Sequence, residues 1–121
     1  MKDQPHGTYR ELTVWQKSLD LVDAVYDLCG CFPDDEKFGL TSQIKRAAVS
    51  IPSNIAEGNG RDSNADYRRH LWIANGSLKE LETQVIIAGR RGWITRDQTS
   101  TAWSLAQEVG KMLRGLIRSL P

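Results

Sequence analysis

Carboxylates, amides and hydroxyls gather at two places in the chain: Ser50, Ser53, Asn54 and Glu57 around Pro52, and Glu80, Glu82 and Gln84 farther along. Paired carboxylates on helices can hold a metal or move a proton, so an enzyme has to be weighed. The carboxylate-bridged bundle needs a Glu-x-x-His step on two helices. The sequence has none; its histidines are His6, in the leader, and His70, which follows Asp66 by one turn and reads as a local pair or a core-edge residue. No glycine-rich phosphate loop, Ser-His-Asp arrangement or Cys-His pair is evident, and Gly58-Asn59-Gly60 sits at a helix exit, the wrong end for cradling phosphate. Catalytic residues, metal ligands, cofactors and a small-molecule substrate are therefore not assigned. The structural reading of the same residues has a mechanism. Ser50, Ser53, Asn54 and Glu57 can satisfy backbone groups freed by Pro52, and Glu57, Glu80 or Glu82 can accept bonds between helices. On that reading Glu57→Gln or Asn54→Ala lowers the melting temperature.

Basic residues offer the second chemistry. Lys45 and Arg46, Arg61, Arg68 and Arg69, Arg90 and Arg91, Arg96, then Lys111, Arg114 and Arg118 all fall in the later part of the chain. Residues 1–38 hold four Lys or Arg against eight Asp or Glu, and residues 39–121 hold twelve against seven, so a net charge of +1 conceals a −4 segment and a +5 segment. Asymmetry of this kind points to a polyanion-facing side. Lys45, Arg46, Arg68, Arg69, Arg90, Arg91, Lys111, Arg114 and Arg118 are the candidate phosphate contacts, with little base specificity because charge is visible and a recognition motif is not. Against this, a soluble bundle always carries basic faces, and a sequence pI near 7.8 is low for a dedicated nucleic-acid binder.

These groups need helices to position them. Ile44, Ala48, Ile51 and Ile55 recur at helical spacing through Leu40 to Gly60, with Pro52 inside the stripe. Pro52 cannot donate to the Ala48 carbonyl, a loss of about 3 kcal/mol unless neighbours compensate, so a kink is expected there. The first helix is expected over 13–31, its stripe formed by Trp15, Ser18, Val22, Val25 and Cys29 with Leu19 and Tyr26 widening it, and Pro33 ending it. The second is expected over 39–58, with Gly58-Asn59-Gly60 as a left-handed stop. The third, over 63–91, has the cleanest stripe: Tyr67, Leu71, Ala74, Leu78, Leu81, Val85 and Ala88. The fourth, over 95–120, starts on a Thr95/Gln98 capping box and continues the core through Ala102, Leu105, Val109, Met112, Leu116 and Leu120. Short connections make the expected fold an all-α, antiparallel, up-and-down four-helix bundle filling one domain over residues 1–121.

Two helices carry more apolar surface than one bundle needs. Trp72, Ile73, Ile86 and Ile87 lie off the third stripe, and Trp103, Gly110 and Ile117 form a second line on the fourth. Trp72, Ile86, Trp103 and Ile117 are the candidate oligomer contacts, the alternative being that wide stripes simply fill the bundle. The longest apolar run, Val85 to Ala88, is far short of the ~20 residues of a membrane span, which favours a cytoplasmic protein without a membrane partner. Cys29 and Cys31 read as buried or idle thiols.

The run AAVSIPSNIAEG, with ELTVWQKSLDLV before it and GSLKELETQ after it, resembles the four-helix-bundle family encoded in intervening sequences of bacterial large-subunit ribosomal RNA genes. More distantly, it is similar to the accessory variability protein of diversity-generating retroelements. The resemblance spans roughly residues 10 to 118. It implies a bacterial homopentameric ring without catalysis, and its retroelement branch implies binding of RNA or DNA. A protein-interaction scaffold that recruits a protein partner is the alternative, and an enzyme using Glu57 and Glu80 is the third reading.

Overall fold

The computed structural model describes residues 8–121, so His6 lies outside the described residues. Four helices dominate: α1 (Thr13–Cys29), α2 (Leu40–Asn59), α3 (Asn64–Arg90) and α4 (Arg96–Ser119), with short 3-10 turns at Tyr9–Glu11 and Asp34–Glu36. Each helix packs on its neighbours in sequence and α1 closes against α4, which leaves α1 and α3 at opposite corners of the bundle. Contacts across the helices fix their relative direction. Ser50 meets Ser77, Asn54 meets His70 and Asn59 meets Tyr67, so contacts that advance along α2 retreat along α3. Between α3 and α4, Glu82 meets Gln107, and Arg68 meets the backbone at Leu120.

The ends follow local chemistry. α1 stops at Cys29, two residues earlier than its pattern suggests, because Gly30, Cys31 and Phe32 donate to carbonyls three residues back and tighten the last turn. α2 starts where the Leu40 amide donates to the Glu36 carboxylate at 3.1 Å, and it runs unbroken through Pro52. Ser63 caps α3 by accepting from the Asp66 amide. At the other end of α3 the Trp93 amide donates to the Ala88 carbonyl and the Gly92 amide to the Gly89 carbonyl, with Gly92 at φ 80°. That pair of bonds is a Schellman stop. Thr95 and Gln98 exchange the two bonds of a capping box and open α4.

Two expectations need correcting. Gly58 and Gly60 do not supply a left-handed stop: Gly60 is right-handed, and Gly58 is buried inside α2 where α3 approaches too closely for a Cβ. Half of each core row on α1 and α4 is shifted by one position. On α1, Ser18, Val25 and Cys29 are buried as expected, but Val14, Leu21 and Leu28 complete the core, whereas Trp15 and Val22 are half-buried and Leu19 and Tyr26 exposed; on α4, Ala102 and Val109 are buried as expected, but Ala106, Gly110, Leu113 and Ile117 complete the row and Leu105, Met112, Leu116 and Leu120 are half-buried. All four expected α2 positions and all seven on α3 are buried.

Candidate functional site

The polar residues around Pro52 form one connected chain across the α2–α3 seam. The Ser50 and Ser77 hydroxyls lie 2.8 Å apart; the Asn54 amide donates to the Ser50 carbonyl at 2.9 Å and to its hydroxyl at 3.1 Å. His70, buried against α2, donates from Nδ1 to the Asn54 Oδ1 at 3.0 Å, with Glu57 3.5 Å away on the same side. Its Nε2 accepts from Arg69 at 3.2 Å. Acceptors at Nδ1 and a guanidinium at Nε2 select the tautomer that carries its proton on Nδ1. Asp66 pairs with Arg69 at 3.7 Å, so His70 is the core-edge residue and not the partner of Asp66.

Ser53 donates to the Val49 carbonyl at 2.8 Å, and with Asn54 it supports the carbonyls just after Ala48, whose ordinary donor Pro52 lacks. Glu80 accepts from Gln84 at 3.2 Å. Glu82 bridges Lys79 and, across to α4, Gln107. Glu57 thus lies level with His70 while Glu80 sits ten residues farther along α3, about 15 Å at 1.5 Å per residue. The two carboxylates do not converge on a common point. Among the described residues no group of three or more His, Cys, Asp or Glu is placed to hold a metal. Beside the seam, Gln43, Arg46, Ala47, Ser50, Ser77 and Glu80 line an open cleft of about 470 Å³.

The basic candidates divide by what they touch. Lys45 lies 4.7 Å from the centre of the Tyr26 ring, and Arg46 donates to Ser42. Arg68 donates to the carbonyls of Leu120 and Pro121 and ties down the end of α4, while Arg69 is held by Asp66 and His70. Arg90, Arg91, Arg96, Lys111 and Arg118 are exposed and have no side-chain partner among the described residues. Arg114 is half-buried, its guanidinium folded over Gly110.

Four of these cations share one face. At about 100° per residue, Arg96, Lys111, Arg114 and Arg118 fall with Ser100, Trp103 and Gln107 inside an arc of roughly 80° on the outside of α4. No carboxylate of α4 lies in that arc, and Glu82 of α3 reaches its edge to accept from Gln107. Asp97 and Glu108 project from the flank, and Glu108 meets Lys17 of α1 at 3.7 Å. From Arg96 to Arg118 the stripe runs about 33 Å, close to the ~34 Å of one duplex turn. Arg96, Ser100 and Gln107 were not among the candidates, although a helical projection started at the Thr95 cap aligns them with Lys111, Arg114 and Arg118.

The apolar candidates also separate. Trp72 and Ile86 are 51% and 52% exposed and Trp103 37%, whereas Ile117 is 7% exposed. Ile117 is therefore a core residue of its own bundle, seated there by the one-position shift on α4, and is withdrawn as an oligomer contact. Trp103 sits within the basic arc of α4. Trp72, Ile73, Ile86 and Ile87 remain on the outside of α3.

The sequence model of the 23S rRNA-intervening sequence protein family matches residues 10–115. A crystal structure of a protein of unknown function from the S23 ribosomal protein family of Bacteroides thetaiotaomicron VPI-5482 has the same architecture, with a TM-score of 0.80 at 30% identity over 88% of this chain and 96% of that one. No curated protein matches.

Proposed function

The chain belongs to the 23S rRNA-intervening sequence protein family, and from that premise we propose a non-catalytic, homo-oligomeric bundle of the bacterial cytoplasm that contacts nucleic-acid phosphates through the outer face of α4. Five subunits are the assembly this reading adopts, in line with the resemblance. The observation that carries it is the stripe of Arg96, Lys111, Arg114 and Arg118, uninterrupted by any carboxylate of α4, with Trp103 and Gln107 among them. Guanidinium and ammonium groups displace counterions from a phosphate backbone, and an aromatic side chain offers a stacking surface to any unpaired base. None of the four cations is paired with a carboxylate among the described residues. Around a ring the stripe repeats once per subunit, so modest local contacts add through effective concentration.

The test is a salt series of fluorescence anisotropy with labelled duplex DNA and structured RNA. The logarithm of the binding constant is expected to fall linearly with the logarithm of salt. Replacing Arg96, Lys111 and Arg118 by Glu is expected to flatten the slope by about 2.7 on B-form DNA, at roughly 0.9 per lost phosphate contact. Absence of binding at low salt by an intact oligomer overturns this reading and favours the protein scaffold, for which the exposed Trp72, Ile73, Ile86 and Ile87 would then be the recruiting surface.

A further inference from the structure

The polar pairs that join α3 to α4 keep one register, and the middle pair is not made. Arg68, Asn75 and Glu82 follow one another at seven-residue steps on α3, and Gln107, Arg114 and Pro121 do the same on α4 and just past its end. The helices run in opposite directions, so Arg68 reaches the Pro121 carbonyl at 2.8 Å and Glu82 accepts from Gln107 at 3.0 Å. The same register sets Asn75 opposite Arg114. Neither has a partner there. The Asn75 Oδ1 is closed off from water without a hydrogen bond, and Arg114 is half-buried with no hydrogen bond or ion pair among the described residues.

Gly110 explains where the guanidinium goes instead. A Cβ at position 110 would stand 3.1 Å from the Arg114 Nη1 and 3.2 Å from the Leu78 Cδ2, so the missing side chain leaves a notch that the guanidinium occupies, one turn away from the Asn75 level. Glu82, the carboxylate on the same row of α3, is already engaged by Lys79 and Gln107. The groove thus holds a guanidinium that needs an anionic acceptor and an amide oxygen that needs a donor. An unserved buried acceptor is costly, and one ligand that offers both groups side by side relieves both. A phosphate alone serves the guanidinium and leaves Oδ1 unserved. A phosphate beside a hydroxyl serves both, and in nucleic acids that pair is the ribose 2′-hydroxyl with its neighbouring phosphate.

We propose that the gap between Asn75 and Arg114 reads the ribose-phosphate backbone of RNA. Arg114 donates to a phosphate oxygen, and the Asn75 Oδ1 accepts from the 2′-hydroxyl of the same nucleotide, so the α4 face prefers RNA to DNA. The inference rests on the phosphate-contacting reading above and names its substrate class. No hydrogen bond pins the Asn75 amide among the described residues, and a half-turn about its Cβ–Cγ bond brings the oxygen to the groove, exchanging one unpartnered end for the other. Arg114 belongs to the basic arc of α4, with Lys111 and Arg118 one turn to either side, so a backbone following the stripe passes over the gap. A-form RNA suits it, because the wide, shallow minor groove displays 2′-hydroxyls beside the phosphates.

The test compares an RNA hairpin with the same hairpin carrying fluorine at every 2′ position, which keeps the A-form shape and the phosphate charge but has no donor on the sugar. In fluorescence anisotropy at one salt concentration, the wild-type chain is expected to hold the hydroxylated hairpin roughly tenfold more tightly, the scale of one donor lost to a buried acceptor. Asn75→Leu, close to asparagine in volume, is expected to reduce that preference to within about twofold while binding the fluorinated hairpin as the wild type does. Arg114→Gln is expected to weaken both. Equal binding of the two hairpins by the wild type overturns this inference and leaves the phosphate-contacting reading standing. A preference that survives Asn75→Leu places the hydroxyl contact elsewhere and overturns the assignment to the gap. Coupled losses of melting temperature for Asn75→Leu and Arg114→Gln in the free protein would mean that the two side chains close the gap on each other, and overturn it as well. Failure to bind either hairpin at low salt overturns this inference and the reading it rests on together.

Discussion

A methyl group at position 58 would sit 2.7 Å from the His70 Cβ and 3.1 Å from the Tyr67 ring. Both neighbours belong to the packed face of α3, so Gly58→Ala is expected to cost about 1–3 kcal/mol by overpacking, measured by urea denaturation. Asn54 links the two halves of the seam, bridging Ser50 and His70. Asn54→Ala leaves the buried His70 Nδ1 short of its nearest acceptor and is expected to cost about 1–3 kcal/mol. Glu57→Gln, expected from the sequence to lower the melting temperature, changes an exposed carboxylate and is now expected to stay within about 0.5 kcal/mol. Burial also gives the fold an alkaline limit. It raises the Cys29 thiol above its ordinary 9.0 and the Tyr67 phenol above its ordinary 10.0, outweighing Lys45 near the first and the Asn59 bond to the second. The unfolded chain then releases protons that the folded chain retains, so stability is full below these ordinary values and falls as pH rises past them. Tyr67→Phe is expected to flatten the upper part of that fall in melting temperature against pH.

At the scale of elements, glycines divide by conformation and surroundings. Gly92 holds φ 80° at the Schellman stop, and Gly92→Ala is expected to destabilise by about 1–2 kcal/mol. Gly76 lies on the exposed side of α3 with nothing near its missing Cβ, so Gly76→Ala is expected to stabilise by up to about 1 kcal/mol. Thermal melts of the two variants should move in opposite directions. The helices themselves were readable from apolar spacing, and the Ser63 and Thr95 caps from their side chains, because those signals are local. Which row of a helix faces the core was readable only where one row is apolar. On α2 and α3 a single row qualifies. On α1, Trp15 and Val22 compete with Val14 and Leu21 in adjacent rows of the same seven-residue spacing, and only the neighbouring helices choose between them. On α4 the buried row includes Ala106 and Gly110, small residues that hydropathy undervalues and that let α4 pack closely on α3, where the Leu78 side chain fills the space over Gly110.

For the whole molecule, charge signs were legible in sequence but their geometry was not. The −4 segment spans α1 and the turns beside it, and the +5 segment includes a basic stripe along α4. Of the tandem Arg68 and Arg69, Arg69 is exposed beside Asp66 and His70, while Arg68 ties down the end of α4. Arg96 acquires meaning only once α4 is seen as one continuous face. The seam of Ser50, Asn54, His70 and Ser77 joins two distant segments, and its membership was only half visible because His70 and Ser77 carry no local sign of it. The measurement that bears most directly on the α4 face compares two variants of equal charge change. Arg96→Glu with Arg118→Glu alters the stripe; Lys45→Glu with Arg46→Glu alters α2 by the same four units of charge. Anisotropy against labelled structured RNA, at one salt concentration and with oligomeric mass verified, is expected to show the first variant binding at least tenfold more weakly than the second. Equal losses from both would mean that net charge and not α4 governs binding, and would contradict the assignment.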